Sequence, residues 1–321
     1  MKYRKLGDTG ISVSEIGFGT WGIGGNAYGE VDDNESKKVL HVAFESGITF
    51  YDTSDLYGNG HSEELLGKVF SLRRDKIVIT TKGGMLPHTT FEMPQDFSPR
   101  HVKNAIEGSL RRLRSDYIDL YLLHSPRIED IQLNEDLVHT LETSKSEGKL
   151  RAYGLSARTP ADAMRAIDEF GFNVVEVNFN MIDQRALEIG LFNRAGTDNL
   201  GLIVRTPLTF GFLTGKLRGD EQFQAKDHRA NWPKDQLKRW AQAYQLFSFL
   251  FEGKSFTPAQ VALRFCLDFE AVSTVIPGMM KTSEVLENSA ASYMPSFTDE
   301  EMSRIEYIYK TNDFYDKSAK Q

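Results

Sequence analysis

Only one cysteine, Cys266, occurs among the 321 residues, so no disulfide framework can be built within the chain and a reducing compartment is expected. That thiol lies in "PAQVALRFCLDFE", where apolar residues recur at helical spacing, which reads as a small buried side chain rather than a nucleophile. Long apolar runs are also missing. No stretch approaches the roughly 18 apolar residues of a membrane span, and the opening "MKYRKLGDTGISVSE" has no apolar h-region. A cytoplasmic protein without a membrane partner is the expectation. Clustered positive charge is scarce as well: 38 Lys and Arg stand against 45 Asp and Glu, for a net charge of −7. Basic residues group only in pairs such as Arg73-Arg74 and Arg111-Arg112, which read as solvated helix faces. Nucleic acid needs a basic face and is excluded as a partner. No flexible linker or shift in composition divides the chain, so one domain over residues 1–321 is expected.

What the chain does have is alternation. Short β-rich runs occur at "SEIGFG" (14–19), "ITFYD" (48–52), "KIVITT" (76–81), "YIDLYLL" (117–123), "RAYGLS" (151–156), "VVEVNF" (174–179), "GLIVR" (201–205) and "AVSTVI" (271–276). Amphipathic stretches of helical period separate them, several opening on Ser or Thr and closing on Gly as capped helices do. Eight strands alternating with helices predict an α/β fold, a (β/α)8 TIM barrel, although a doubly wound sheet alternates too. An N-terminal β-hairpin turning at Asp8-Thr9-Gly10 is predicted to plug the closed end. About 65 residues separate the last two strands; they begin with "TFGFLTGKLRGDEQFQAKDHRANWP", read as a functional cover, and continue with extra helices. The stretch "GFGTWG" satisfies G-x-G-x-x-G, but it runs into a loop rather than opening a helix, so a Rossmann fingerprint is rejected.

In such a barrel chemistry collects where strands end at their carboxyl termini. Asp52 with Tyr57, Lys82, His124 and Ser156 follow apolar strands in that order. Taken singly, these types suit ordinary roles: a turn former, a packed aromatic, a loop lysine, a helix cap. Jointly they form a set with one chemical use. A phenol titrates near pH 10, and an adjacent ammonium such as Lys82 favours its phenolate. Asp52 would keep that ammonium charged and placed. The imidazole of His124 can donate a hydrogen bond to a carbonyl oxygen. Together these groups can put a proton on a carbonyl oxygen while something else attacks the carbon. No metal-binding constellation is expected.

The sequence resembles the aldo-keto reductases almost end to end, through "LGDTGISVSEIGFGTWGIGG", "FYDTSDLYGNGHSEELLG", "VITTKGG", "RLRSDYIDLYLLHSP", "AYGLS", "TPLTFGFLTGK" and "VIPGMMKTSEVLENSAA". The resemblance implies a barrel that reduces aldehydes or ketones, a sugar-like carbonyl among them, with NADPH or NADH. It makes Tyr57 the general acid, Lys82 and Asp52 its tuning pair, and His124 the carbonyl orienter. Trp21, Tyr57, His88 and His124 would meet the substrate, with Phe91, Arg127 and Trp232 as further candidate lining. For the cofactor it implies Gly19, Thr20, Trp21 and Asp52 along its length. Ser156, Glu176 and Arg205 would serve the nicotinamide. Thr206, Pro207, Leu208, Gly211, Leu213 and Lys216 would follow towards the pyrophosphate. Ile276, Gly278, Met280, Lys281, Glu284, Glu287 and Asn288 would complete the phosphate and adenine end. The chain departs from the family pattern at Ala157, commonly Asn; Glu176, usually Gln; Arg205, often aromatic; and Met280, often Arg. Lys281 is then the nearest cation for a 2′-phosphate, and NADPH is expected to be preferred modestly. An alternative implied by the same resemblance is a redox-sensing regulatory subunit like the potassium-channel β-subunits. Oligomeric state cannot be read.

Overall fold

The computed structural model describes residues 1–25, 27–87 and 93–315. At its start β1 (Tyr3–Lys5) pairs antiparallel with β2 (Ser12–Ser14). A 3-10 turn over Gly7–Thr9 joins them, and Gly10 closes it at φ 73°, a left-handed conformation that glycine adopts without a steric penalty. Eight parallel strands follow: β3 (Phe18–Gly19), β4 (Phe50–Asp52), β5 (Val78–Gly83), β6 (Ile118–His124), β7 (Leu150–Ser156), β8 (Val174–Asn178), β9 (Gly201–Arg205) and β10 (Val272–Val275). Each is bonded to its neighbour in chain order.

The ring closes between the last strand and the first. Ile16 bridges Val275 and Gly19 bridges Gly278, both parallel. The Gly17 N–H donates to the Val275 carbonyl at 2.8 Å, and the Val275 N–H to the Glu15 carbonyl at 3.0 Å. Closure removes the sheet edges and sets the doubly wound alternative aside. The fold is a (β/α)8 barrel. Its first strand is shorter than the expected 14–19, because Ser14 belongs to the hairpin. The Ser14 hydroxyl donates to the Ile16 carbonyl at 2.7 Å and accepts from the Thr49 N–H at 3.0 Å, turning the chain from hairpin into barrel.

Side-chain caps begin several helices where Ser and Thr suggested, and an aspartate opens the first. Asp32 accepts from the Asn34 N–H at 2.6 Å to open Asp33–Glu45, so "GFGTWG" indeed runs through a strand and a 3-10 turn before any helix starts. Thr159 and Thr257 form capping boxes ahead of Pro160–Phe170 and Pro258–Leu267. Cys266, on the latter helix, is 0% exposed. The arginine pairs are not simply solvated. Arg74 lies 2.7 Å from the buried Asp119 carboxylate and Arg112 lies 2.6 Å from buried Glu63. Burying a carboxylate demands such a partner, which is why one arginine of each pair turns inward.

Candidate active site

Successive strand residues point to opposite faces, so each inward column can be followed from floor to mouth. Phe50, Val78, Leu122, Ala152, Val174 and Ile203 form an inner apolar cluster with Leu6, Ile11 and Val13 of the hairpin, which plugs the floor as expected. Two or four residues further along the same columns stand Asp52, Lys82, His124, Ser156, Glu176 and Arg205. The barrel is therefore apolar below and ringed by polar groups above.

Lys82 is the centre of that ring. Its side chain is 0% exposed, its ammonium hydrogen-bonds the Asp52 carboxylate, and it donates to the Thr53 carbonyl at 3.2 Å. Glu176 Oε2 lies 3.4 Å away. Burial alone would lower the lysine's pKa, but the charges of Asp52 and Glu176 outweigh it and the net shift is upward. Burial raises the Asp52 carboxyl, Lys82 opposes, and the like charge of Glu176 adds to the rise. Tyr57 approaches from the loop after β4, its ring 5.4 Å from the Lys82 ammonium and 6.0 Å from the His124 ring. Burial pushes its phenol above the ordinary value and the field of Lys82 only partly offsets this. Lys82 does act in the anticipated direction, but the net lowering expected from sequence is corrected.

The loop that carries Tyr57 is wedged against the loop after β3. A Cβ on Gly58, at φ 61°, would lie 2.1 Å from the Gly24 carbonyl oxygen, so only glycine fits. Seven non-glycine residues have positive φ among the described residues, and five of them, Asn59, Ser125, Thr206, Thr209 and Phe210, lie in loops leaving β4, β6 and β9 at the mouth. Each such conformation costs about 1 kcal/mol or more, so backbone strain is concentrated at this face.

His124 is 9% exposed, and its Nδ1 is 3.1 Å from the Ser54 hydroxyl. The Ser125 carbonyl that follows accepts from Gln95 at 2.7 Å and from Arg158 at 2.9 Å. Ser156 donates to Glu176 Oε1 at 2.8 Å, and Arg205 donates to the Ala157 carbonyl at 3.0 Å. Beyond their ion-pair contacts, Glu176 Oε2 to Lys82 at 3.4 Å and Arg205 Nε to Glu176 Oε1 at 3.8 Å, Glu176 Oε2 and Arg205 Nε are buried with no hydrogen bond of their own. Such atoms are rare in proteins. An acceptor on Glu176 and a donor on Arg205, on side chains that meet at 3.8 Å, suit the NH2 and C=O of a carboxamide, so these residues fit the nicotinamide that the resemblance implied.

Towards the phosphate end the expected residues divide. Lys216 Nζ meets Glu287 Oε2 at 2.8 Å, tying the loop after β9 to the helix Thr282–Ala290. Glu284 accepts from the N–H groups of Met280 at 2.8 Å and Lys281 at 3.3 Å, so the helix caps its own N-terminus with a carboxylate. Lys281 and Gly278 are exposed; Ile276, Pro207, Leu208, Leu213 and Asn288 are buried. Gly211, at φ 94°, follows the mouth turn, and Thr206 donates to Asn178 at 2.8 Å. Thr20 is buried and donates to the Asp52 carbonyl at 2.7 Å, while the Gly19 backbone seals the barrel against Pro277 at 3.0 Å. Trp21 is 6.4 Å from the Tyr57 ring. Arg127 pairs with Asp130 at 2.7 Å, and Trp232 packs on Trp240 at 5.0 Å. His88 and Phe91 lie outside the described residues.

Two residues at the mouth escaped sequence reasoning. Ser54 had a signal, its place between Asp52 and Tyr57 in "DTSDLY". His228 had only its position in the long loop; its ring lies 4.5 Å from Trp21 and 5.0 Å from Tyr28, and burial lowers its pKa to about 4.

Comparison with known proteins agrees with this geometry. The model of the Aldo/keto reductase family matches residues 15–310. An aldo-keto reductase of Bacillus subtilis, YhdN, is 30% identical over 300 residues, covering 89% of this chain and 87% of that protein. A probable voltage-gated potassium channel β-subunit of Oryza sativa subsp. japonica is 28% identical, covering 97% of both. Among solved structures, a glycerol dehydrogenase of Gluconobacter oxydans superposes with a TM-score of 0.82 at 27% identity, covering 99% of this chain and 98% of that one. The match spans nearly the whole chain, and the chain belongs to the aldo/keto reductase family of NAD(P)H-dependent oxidoreductases.

Proposed function

We propose that the protein reduces an aldehyde or ketone, a sugar-like carbonyl among the candidates, with Tyr57 as proton donor and NADPH modestly preferred over NADH. The observation that carries this reading is the fully buried Lys82, paired with Asp52 and 5.4 Å from the Tyr57 ring. A bound nicotinamide supplies hydride to the carbonyl carbon. Tyr57 gives its hydroxyl proton to the carbonyl oxygen, and the Lys82 ammonium steadies the phenolate that remains. A phenol raised by burial is fully protonated at neutral pH, which suits a donor in the reducing direction. Asp52 fixes Lys82. His124 orients the carbonyl through the ring nitrogen that does not face Ser54, and Trp21 would wall the substrate.

Ser156, Glu176 and Arg205 would hold the carboxamide. Gly19, Thr20, Thr206, Pro207, Leu208, Gly211, Leu213 and Lys216 would line the path to the phosphates, and Ile276, Gly278, Met280, Glu287 and Asn288 the adenosine end. Lys281 is exposed beside a helix N-terminus, which supports affinity for a 2′-phosphate. The carboxylate of Glu284 at the same helix end keeps that preference small.

Likeness to a channel β-subunit alone does not separate an enzyme from a redox sensor. Cofactor oxidation with a panel of aldehydes, ketones and sugars separates them. Steady turnover with at least one carbonyl class is expected; tight cofactor binding with no more than a single slow turnover on every carbonyl would favour the sensor.

A further inference from the structure

Ser54 has one hydroxyl proton and three acceptors for it: His124 Nδ1 at 3.1 Å, Asp55 Oδ1 at 3.2 Å and the Lys82 carbonyl at 3.4 Å. Its oxygen also accepts from the Leu56 N–H at 3.1 Å. We propose that Asp55 is a positioning residue that selects, through Ser54, which ring nitrogen of His124 carries the proton. The proposal rests on the reading of His124 as the carbonyl orienter.

A neutral imidazole has a single N–H. When Ser54 donates to Nδ1, the His124 proton is on Nε2, where it can meet a carbonyl oxygen. When Ser54 donates to an ionised Asp55, its remaining lone pair accepts from Nδ1–H. Nε2 then shows the carbonyl a lone pair instead of a proton. A neutral Asp55 reverses the relay, its carboxyl donating to Ser54 and Ser54 donating to Nδ1. In both arrangements Ser54 makes one donation and accepts twice, from Leu56 and from either Asp55 or His124. The relay therefore has two fully bonded states, and the charge of Asp55 chooses between them.

The surroundings of Asp55 put that choice in a working range. Burial and the neighbouring Glu63 carboxylate push its pKa up to about 7, while the Ser54 hydrogen bond and the Arg112 guanidinium pull it down. Glu63 comes from the helix His61–Phe70 and Arg112 from Pro99–Leu113; they pair at 2.6 Å. The third titratable neighbour is the Tyr121 phenol of β6, buried without a hydrogen-bond partner and raised by burial and by the charges of Asp55 and Glu63. From β5, a Cβ at Gly83 would lie 3.1 Å from Asp55 Oδ2, so the carboxyl sits close against that strand. On the far side, His124 is faced by the Tyr57 ring.

The test is nitrogen NMR of ¹⁵N-histidine protein, free and saturated with NADP⁺, followed from about pH 6 to about pH 8, with the His124 signals assigned by their loss in His124→Gln. Asp55→Asn mimics the neutral carboxyl, its amide donating to Ser54. The wild type should pass from Nε2–H to Nδ1–H as pH rises, whereas Asp55→Asn stays Nε2–H throughout. In parallel, kcat/KM for reduction should fall by up to about tenfold above neutrality in the wild type, and this fall should be absent in Asp55→Asn. A wild-type tautomer that does not change with pH, or an identical change in Asp55→Asn, overturns the proposal. The wild-type titration decides even where the variant folds poorly. Failure of the orienter reading is distinguishable: full activity in His124→Ala would remove that role, whatever the tautomer does.

Discussion

Lys82 carries more of the local charge balance than any other side chain at the mouth, because two buried carboxylates, Asp52 and Glu176, face one ammonium. Removing that cation leaves Asp52 without a counter-charge and Glu176 with only Ser156 and Arg205 beside it. Lys82→Met is therefore expected to cost about 3–5 kcal/mol of stability, as broken buried pairs do. Reduction should fall by about 10²-fold or more, and the alkaline limb of its pH profile should move to higher pH, since the field that holds the phenol down is lost. Urea unfolding and a pH-rate profile read both effects; unchanged stability with an unchanged profile would show that Lys82 neither anchors nor tunes the site. The pairing of Lys82 with Asp52 was legible in the sequence, because a charge that closes an apolar strand is costly to bury unless it is paired, whereas the contact with Glu176 came only with the structure. The net direction of the phenol's shift was not legible either. It depends on how deeply Tyr57 is covered, and that cover includes Trp21 and Gly24, which are remote in sequence.

At the scale of the element, strands were easier to read than helix ends. The two-residue period of a strand is a property of the backbone, so Val78 facing in requires Lys82 to face in, and Val174 requires Glu176. A helix N-terminus offers its N–H groups to whichever acceptor arrives, and in Thr282–Ala290 the acceptor is the helix's own Glu284. Nothing in "GMMKTSEVLEN" decides between that cap and a phosphate. Replacing the charge tests the competition: Glu284→Gln should tighten NADPH by about 3–10-fold and leave NADH nearly unchanged, with the gain shrinking as salt is added. Fluorescence titration of both cofactors measures this. Equal gains for the two would mean that Glu284 acts on the helix and not on the 2′-phosphate.

Across the whole molecule, the alternation of strands and helices favoured the barrel without excluding a doubly wound sheet, and both the closure of the ring and the joins between distant loops came only with the structure. The long segment after β9 reaches Glu287 through Lys216 and Trp21 through His228, and no periodicity or local motif specifies either contact. These joins lie at a mouth where inward columns from six strands end in polar groups, two of which, Lys82 and His124, face one phenol. Whether that phenol delivers the proton is the central question, and one comparison answers it most directly. Single-turnover reduction by Tyr57→Phe, with cofactor affinity measured on the same protein, removes the hydroxyl and leaves the ring that packs near Trp21 and His124. The expected result is unchanged NADPH affinity with reduction slowed by about 10²-fold or more. Reduction at the wild-type rate would contradict the account.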